Sequence, residues 1–526
     1  MTASAKEFRF DVDARMALSS GINQLAEIVA MTLGPKGRNV GLQNTYGGSI
    51  ITSDGELITK EMELKCRFEN LGVSLAKETA AKIKEKSGDG TTTGIVLLRA
   101  LVQNGVKNIS AGANPTSIKR GMDKALDKIL SEIDQMSIAI KNETDTQNIA
   151  TVSASGDREI GETIANCFKQ IGKSGVITIE EGKSTETTTE IVEGMQIDQG
   201  YMSPYFCTNV EKLLVELDHP IVLITDKKIH SAQEILPILQ QIAHTEQSLF
   251  IIAEDIEGDA LSTLVMNKLR GTIKVAAIKA PGFGDQKRAL LEDLCILTGA
   301  TLISEQVGLL LSETTFDLLG SARHLYISKE KTTIVDGKGK KQDIQKRIDQ
   351  INAQIRPTLS NFEIEKLNER KGKLQGGVAV IKVGALTEAE MKKQKQMFED
   401  SLHATRAALE NGIVPGGGMA LLRSSKKIEL LNDKEEKVGA EILIQACTAP
   451  FRQIVTNSGL NPSILYEEVL LKGNSYGFNA LTEKIEDLFQ AGVIDPVKVV
   501  KNSLIHAVSI AGIVLLSEAL MVNAKE

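Results

Sequence analysis

The chain has no tryptophan, and aromatic residues make up only 4% of it. Base-stacking platforms need such rings, which argues against a nucleic-acid channel. Nor is there a basic surplus. Lys and Arg number 61 against 68 Asp and Glu, a net charge of −7, leaving nothing to neutralise a phosphate backbone. The cysteines, Cys66, Cys167, Cys207, Cys295 and Cys447, are odd in number and far apart, with no Cys-x-x-Cys pair. That favours reduced thiols in a cytoplasmic compartment over disulfides or a zinc site, and six scattered histidines do not rescue a metal centre. Residues 1–12 carry charges and no apolar h-region, so no signal peptide is expected. The most apolar late run, 507–516, is interrupted by Ser509 and followed by Glu518. It is too short for a bilayer and reads as a buried helix, so no membrane partner is expected. No Ser-His-Asp, nucleophile-elbow or zinc-hydrolase motif is present.

At 526 residues, 42% hydrophobic and 25% charged, the chain has the composition of a soluble globular protein. Its length suggests roughly three or four domains. The stretch that organises it is Gly88-Asp89-Gly90-Thr91-Thr92-Thr93. Upstream, Phe68, Leu71, Leu75, Thr79 and Ile83 recur at steps of three or four; downstream, Ile95, Leu98, Val102 and Ile109 do the same, ending at Gly112-Ala113-Asn114-Pro115. The hexapeptide is therefore a turn followed by a helix N-terminus, whose free N–H groups and partial positive charge suit an anion. Glycines let the main chain approach a phosphate, and threonines add hydroxyls. A carboxylate beside phosphate repels it unless a cation lies between them, so Asp89 points to Mg²⁺. The same residues are also ordinary caps and turn formers, and the hexapeptide alone leaves both readings open.

Leu18, Ile22, Leu25 and Val29 form another helical stripe, ending in the basic, glycine-rich loop Thr32-Leu33-Gly34-Pro35-Lys36-Gly37-Arg38. This loop is a second phosphate contact or a helix stop with a solvated turn. Strand-like runs around Val40 and Ile50-Ile51 precede a turn at Ser53-Asp54-Gly55, where Asp54 is a turn residue or a second acid near the metal. Strands are expected at 176–179 and 187–192. Gly182-Lys183-Ser184 resembles the end of a Walker A motif, but Ile177 occupies the position that needs glycine, so the match is rejected.

From about 201 to 335 strand and helix alternate, an α/β pattern with a largely buried sheet. Two of its helices carry more apolar side chains than one buried stripe requires. The first has Ile235, Leu236, Ile238, Leu239 and Ile242; the second has Leu261, Leu264, Val265, Met266 and Leu269. The surplus is either core on a second face or a protein-binding surface. Ile344, Ile348, Ile351 and Ile355, then Pro357, then Ile364, Leu367 and Leu374 predict a helical hairpin. Gly376-Gly377 leads into a strand at Val378–Val383, followed by a long charged helix from Thr387 to about Glu410 that carries Asp400. A third glycine cluster, 412–418, can admit a ligand against bare backbone. The remainder reads as mostly helical, with a loop at 476–480 and a turn at Asp495-Pro496.

Taken together, residues 32–39, Asp54-Gly55, 88–93, Glu193-Gly194-Met195, Tyr201-Met202-Ser203-Pro204-Tyr205-Phe206, 279–285, 401–406, 415–418 and Asp495-Pro496 resemble the bacterial group I chaperonins of the GroEL type. They do so in order and over essentially the whole chain. The resemblance implies an α+β multidomain fold. A mostly helical equatorial ATPase domain would take 1–135 and 411–526, a small α/β intermediate hinge domain 136–192 and 379–410, and an α/β apical domain with a buried sheet and flanking helices 193–378. The subunits would form a homo-oligomer of two stacked seven-membered rings.

By the same resemblance, Thr32, Leu33, Gly34 and Pro35 would wrap ATP, with Gly55 beside it. Asp89 would hold Mg²⁺, and Gly90, Thr91, Thr92 and Thr93 would bind the phosphates. Gly417, Asn479, Ala480 and Asp495 would close around the adenosine. Asp400 would arrive on the intermediate domain and act as general base toward the attacking water, assisted by Asp54. Tyr201, Tyr205, Phe206, Leu236, Leu239, Leu261, Val265 and Met266 would bind non-native polypeptides and the mobile loop of a GroES-type co-chaperonin, since a flexible apolar groove accepts many sequences.

The sequence departs from the family at several positions. Ser53 stands where a lysine usually helps hold phosphate, and Gln199 replaces an arginine that usually pairs with an acid of the neighbouring subunit, although Glu388 is kept. Asn461 stands where an acid often pairs across the rings with the position of Arg452, and the usual Gly-Gly-Met repeats are not found at Lys525-Glu526. An ATP-driven folding chaperonin is the first reading. A divergent paralogue acting as a passive holdase is the alternative, and a small-molecule kinase is a distant third because no acceptor motif is recognisable.

Overall fold

Leu18, Ile22, Leu25 and Val29 are all buried, and the helix they define sets the assembly of the first of two compact units. The computed structural model describes residues 5–43, 49–52, 54–140, 142–154, 156–172, 175–182, 184–210, 212–245, 247–282, 284–356, 361–375, 377–428 and 433–524. One unit comprises Met1–Asn166 and Lys392–Glu526, the other Cys167–Met391. Both boundaries fall inside the segments expected for the hinge domain.

The chain begins with β1 (Lys6–Phe10), α1 (Asp11–Ala30), β2 (Val40–Gln43) and β3 (Ser49–Thr52). Next come α2 (Gly55–Glu61), α3 (Arg67–Ser87), α4 (Thr91–Ser110), α5 (Pro115–Met136), α6 (Glu143–Ser153) and α7 (Arg158–Ile171). The second unit holds β4 (Val176–Glu181), β5 (Thr188–Val192), β6 (Gly194–Ile197), β7 (Val215–Asp218), β8 (Ile221–Ile224), β9 (Lys228–Ile229) and α8 (Ala232–Ala243). It continues with β10 (Leu249–Ala253), β11 (Asp255–Ile256), α9 (Gly258–Leu269), β12 (Val275–Lys279), α10 (Gly284–Thr298), β13 (Gly320–Ile327) and β14 (Thr332–Gly337). The hairpin α11 (Lys341–Ile355) and α12 (Asn361–Gln375) and strand β15 (Val378–Val383) complete it, and α13 (Glu388–Asn411) carries the chain back. The first unit closes with β16 (Ile413–Pro415), α14 (Met419–Lys426), α15 (Lys434–Ala446), α16 (Ala449–Asn457) and α17 (Pro462–Leu470). Last are β17 (Tyr476–Asn479), β18 (Lys484–Asp487), β19 (Ile494–Pro496), α18 (Val497–Leu516) and β20 (Ala519–Asn523).

In the first unit α1 and α3 cross with their main chains nearly touching. A Cβ added at Gly21 would lie 1.9 Å from the Glu69 carbonyl oxygen, and one at Gly72 would lie 2.2 Å from that of Leu18. Only glycine permits this spacing, and Leu25, Val73, Leu97, Leu98 and Leu101 are buried together in one core beside it. Each such fully buried aliphatic side chain contributes about 1.5–3 kcal/mol relative to exposure.

The apolar run expected at 507–516 belongs to a longer helix. α18 spans 20 residues with a mean hydropathy of 1.8, long and apolar enough on those criteria to cross a bilayer, but 61% of that window is buried inside the protein. It packs against α3, α4 and α5.

Two expectations near the end of the chain are corrected. The loop at 476–480 is largely strand β17, paired antiparallel with β18 from Tyr476↔Asp487 to Asn479↔Lys484. The turn at Asp495-Pro496 lies in β19, whose partner is β16 with Val414 opposite Asp495. Pro496 ends that strand, where its missing N–H disrupts no ladder, and its φ of −65° leads into α18.

The second unit is built on a seven-stranded sheet in the order β12-β10-β8-β13-β14-β6, with β7 also on β13. Its parallel strand β10, Leu-Phe-Ile-Ile-Ala, is buried throughout, as expected for a strand covered on both faces. A smaller sheet, β4-β15-β5, lies in the same unit. The predicted helical hairpin is present as α11 and α12 and is clamped to α10 by Asp293, which is fully buried. Asp293 accepts from Arg347 Nε at 2.7 Å and from Arg370 Nε at 2.8 Å.

Candidate functional site

α3 ends at Gly88, which takes a left-handed φ of 72°, and Gly90 at φ 91° starts α4. No side chain caps α4. The helix therefore opens with Thr91, Thr92 and Thr93 presenting main-chain N–H groups, the condition under which a helix start attracts an anion. Two contacts fix this turn. Ser503 Oγ of α18 donates to the Gly90 carbonyl at 3.0 Å. A Cβ at Gly55 would lie 2.2 Å from Thr92 Oγ1, so the Asp54-Gly55 start of α2 lies directly against the first turn of α4.

Asp54 caps α2 by accepting from the Glu56 N–H at 2.8 Å, which accounts for its place in the turn without using its whole carboxylate. Helix α13 passes close by. A Cβ on Gly88 would fall 2.2 Å from that of His403, one turn from Asp400, so this glycine admits the helix that carries the expected base. Asp400 accepts from Lys84 Nζ of α3 and, on the same oxygen, from Gln396 Nε2 at 2.8 Å. Lys84 also lies 3.3 Å from Glu56 Oε2, and Glu56 is held separately by Lys60 at 2.8 Å.

The electrostatics place the aspartates within reach of one another. Burial pushes Asp400 up to about 7; Lys84 opposes this, and the charges of Asp89 and Asp54 add to it. Burial likewise raises Asp495 to about 7, with the Asp89 charge contributing. Asp89 is raised by burial and by Asp54, while the Gly90 N–H and Lys84 pull it down. All four side chains keep part of their surface accessible. Acids that repel one another in a partly enclosed place favour a cation or a proton between them.

The other expected nucleotide contacts converge on the same unit. Asn457 Nδ2 donates to the Ala30 and Leu33 carbonyls at 2.9 and 2.8 Å, shaping the Thr32-Leu33-Gly34-Pro35 loop, where Gly34 has φ 85°. Lys36 pairs with Glu483 in the β17–β18 turn, tying this loop to the segment after Asn479-Ala480. Asn479 and Ala480 are buried, and the Asn479 side chain is engaged within its own hairpin by Glu486 at 2.7 Å. Gly417 has φ 62°, and the nearest atom to an added Cβ would be the Phe478 carbonyl oxygen at 3.6 Å. The main chain there is open to a ligand.

These residues fit a magnesium nucleotide. Among the described residues no three His, Cys, Asp or Glu side chains form a closed metal cage. Mg²⁺ does not need one, since it binds through one or two carboxylates together with substrate phosphates and water. Asp89, beside an uncapped helix start, has the chemistry for that role.

In the second unit the expected client-binding residues separate into three sets. Tyr205, Leu236 and Met266 are exposed at 63%, 45% and 46%, and Tyr201, Leu261 and Val265 are partly buried. Phe206 and Leu239, at 0% and 4% exposure, pack in the core of the unit.

Sequence reasoning did not find Lys84, Glu56, Gln396, Asn457 or Ser503. Lys84, Asn457 and Ser503 act on partners hundreds of residues away, whereas Glu56 meets Lys60 and Lys84, and Gln396 meets Asp400 within its own helix, in charged and polar patterns common on any helix surface. Of the departures, Ser53 lies outside the described residues. The Gln199 carbonyl accepts from Thr332 Oγ1 at 2.6 Å. Asn461 caps α17, and Arg452 lies over the Tyr466 ring at 5.0 Å.

A sequence profile of the TCP-1/cpn60 chaperonin family matches residues 25–525. The chain is 56% identical over 522 residues, 99% of its length and 98% of the relative's, to a protein named Chaperonin GroEL 3 from Protochlamydia amoebophila (strain UWE25).

Proposed function

Because this chain belongs to the TCP-1/cpn60 chaperonin family, we propose that it is an ATP-hydrolysing chaperonin that binds non-native proteins, encloses them in a ring cavity with a GroES-type co-chaperonin and promotes their folding. The observation that carries the ATPase reading is the convergence of Asp54, Asp89, Asp400 and Asp495 on the uncapped start of α4.

Asp89 would hold Mg²⁺, which when bound supplies charge neutralisation at the phosphates. The N–H groups and hydroxyls of Thr91, Thr92 and Thr93 would seat the phosphates, with Gly90 allowing close approach. Thr32, Leu33, Gly34 and Pro35 would flank the nucleotide, and Gly417, Asn479, Ala480 and Asp495 would border the adenosine. Asp400, ionised, would take the proton of the attacking water, and Asp54 would orient that water. Phosphoryl transfer asks for such positioning more than for a covalent nucleophile.

Unpaired thiols support a reducing, cytoplasmic setting, since all the cysteines are free. The domain reading follows the family, with equatorial (1–135, 411–526), intermediate (136–192, 379–410) and apical (193–378) parts in a double ring of seven-membered rings. The exposed Tyr205, Leu236 and Met266 supply apolar surface for clients.

The test is steady-state phosphate release by the purified protein and by Asp400→Ala, with refolding of a denatured client followed in parallel. Release by the parent alone, with ATP-dependent recovery of the client, is expected. Equal release from both proteins, or none from the parent, overturns the ATPase reading. Suppressed aggregation without nucleotide-driven recovery would instead identify a passive holdase.

A further inference from the structure

Carboxylates outnumber cations at the candidate site. Asp54, Asp89, Asp400 and Asp495 influence one another there, and among the described residues Lys84 is the side chain that forms an ion pair with any of them. Lys84 stands on the last turn of α3, just before the Gly88–Thr93 segment. Its ammonium donates to Asp400 and lies 3.3 Å from Glu56, and it acts electrostatically on Asp54 and Asp89.

Glu56 does not depend on Lys84, because Lys60 pairs with it at 2.8 Å one helical turn away. Nor is Lys84 sealed in, since 23% of its side-chain surface is accessible, as is 23% of that of Asp400. A lysine is a compact point charge with three donors on a flexible stem. Such a group can exchange one oxygen partner for another by rotation of its own side chain. At the same time, position 53 carries serine where the family resemblance calls for a phosphate-holding lysine.

We propose that Lys84 is the phosphate-holding cation of this site: it pairs with Asp400 in the nucleotide-free chain and turns to the phosphate oxygens of bound ATP, which frees Asp400 to face the attacking water. The proposal rests on the ATPase reading above and adds a residue to it. It also gives the site an order of events, because the base is occupied until a triphosphate competes for its partner. No bond to Lys84 forms or breaks in this exchange; only hydrogen-bond and ion-pair partners change.

The experiment measures affinity rather than turnover. Calorimetric Kd values with magnesium are taken for a non-hydrolysable ATP analogue and for ADP, on the parent, Lys84→Met, Lys84→Arg and Asp400→Asn. Loss of a charge-assisted contact weakens triphosphate binding to Lys84→Met by about tenfold or more, and ADP binding by less. Lys84→Arg, which keeps the charge, recovers most of the affinity. Asp400→Asn moves the other way and tightens triphosphate binding, because Lys84 is then uncommitted and a repelling charge is gone.

A purely structural ion pair would weaken both Lys84→Met and Asp400→Asn alike, and that result overturns the proposal. So does unchanged affinity in Lys84→Met while the parent hydrolyses ATP, an outcome that leaves the ATPase reading intact. If Lys84→Met does not fold, the other two variants decide the matter: near-parent affinity in Lys84→Arg with tightened triphosphate binding in Asp400→Asn supports the proposal, and weakened binding in Asp400→Asn overturns it. A parent that binds neither nucleotide overturns both readings.

Discussion

Gly55 lies against Thr92 so closely that a Cβ on it would come within 2.2 Å of the Thr92 hydroxyl oxygen and 3.2 Å of Val29. The start of α2 and the first turn of α4 are thus fitted to each other at a position that tolerates no side chain. Gly55→Ala should cost about 1–3 kcal/mol by overpacking and should weaken ATP binding by displacing the Thr92 hydroxyl. Gly55→Ala with Thr92→Ala should recover the stability but not the binding. Thermal unfolding and calorimetry on both variants separate the two effects.

Asp400→Asn keeps the shape of the side chain proposed as general base and removes its ability to accept a proton. Phosphate release should fall by about 10²–10⁴-fold, while the nucleotide is still bound. In the nucleotide-free parent, burial places the Asp400 carboxyl at about 7 with Lys84 paired to it, so release at limiting ATP, which reports the free enzyme, should rise with pH through that value as the ionised form accumulates. A rate that is flat between pH 6 and 8 would show that Asp400 is not the titrating group.

Asp495 has the same upward shift, from 3.8 to about 7, through burial and the nearby Asp89 charge. A carboxyl raised in this way holds its proton more tightly in the folded than in the unfolded chain. Its contribution to stability is therefore complete below about pH 4 and is lost as pH climbs through 7. Asp495→Asn should raise the unfolding midpoint of the nucleotide-free protein at pH 8 and change it little at pH 4. Denaturant titrations at both pH values check this, and equal shifts would contradict it.

Leu236 and Met266 are exposed whereas Phe206 and Leu239 are buried in the same unit. Leu236→Ser and Met266→Ser should leave the unfolding midpoint within experimental error and reduce the suppression of client aggregation. Phe206→Ala should cost about 3–5 kcal/mol from the cavity alone. Light scattering of a denatured client, read beside the melting curve of each variant, distinguishes surface from core.

Asp293 is fully enclosed between Arg347 and Arg370. Replacing its charge by an amide leaves the two guanidinium groups sharing one neutral oxygen, with, among the described residues, only Arg347 keeping a second carboxylate partner in Glu292 at 2.9 Å, a loss of up to about 3–5 kcal/mol for a broken buried pair. Asp293→Asn should therefore loosen α11 and α12 first, which hydrogen exchange would record as reduced protection of the amides of these two helices with the β10 amides unchanged.

The long elements were legible because their side chains repeat with the helical period. The stripes from Phe68 to Ile83 and from Ile95 to Ile109 became α3 and α4, with the hexapeptide at their junction. β17 and β19 were not legible. They have four and three residues, too few for alternation to show; β17 pairs with β18 in a local hairpin, and β19 pairs with the distant β16. The early part of α18 was hidden because Lys498 and Lys501 break up its hydropathy. Lys501 reaches outward to Asp134 at 2.7 Å while the opposite face stays buried. On α8 the apolar surplus was visible but its direction was not, since Leu236 and Leu239 differ by less than one turn and only packing shows which faces the core. The Lys84–Asp400 pair spans 316 residues of sequence, beyond the reach of any local pattern.

The site draws Asp54 and Asp89 from before the second unit and Asp400 and Asp495 from after it. A ribosome makes the first pair of acids, then a whole separate unit, and only then the second pair. A nascent chain halted anywhere before residue 400 therefore lacks the groups needed to complete the pocket. On the proposed ATPase reading, turnover of nucleotide is acquired only after residue 495 has been made, and it reports that the early and late segments of the unit have found one another.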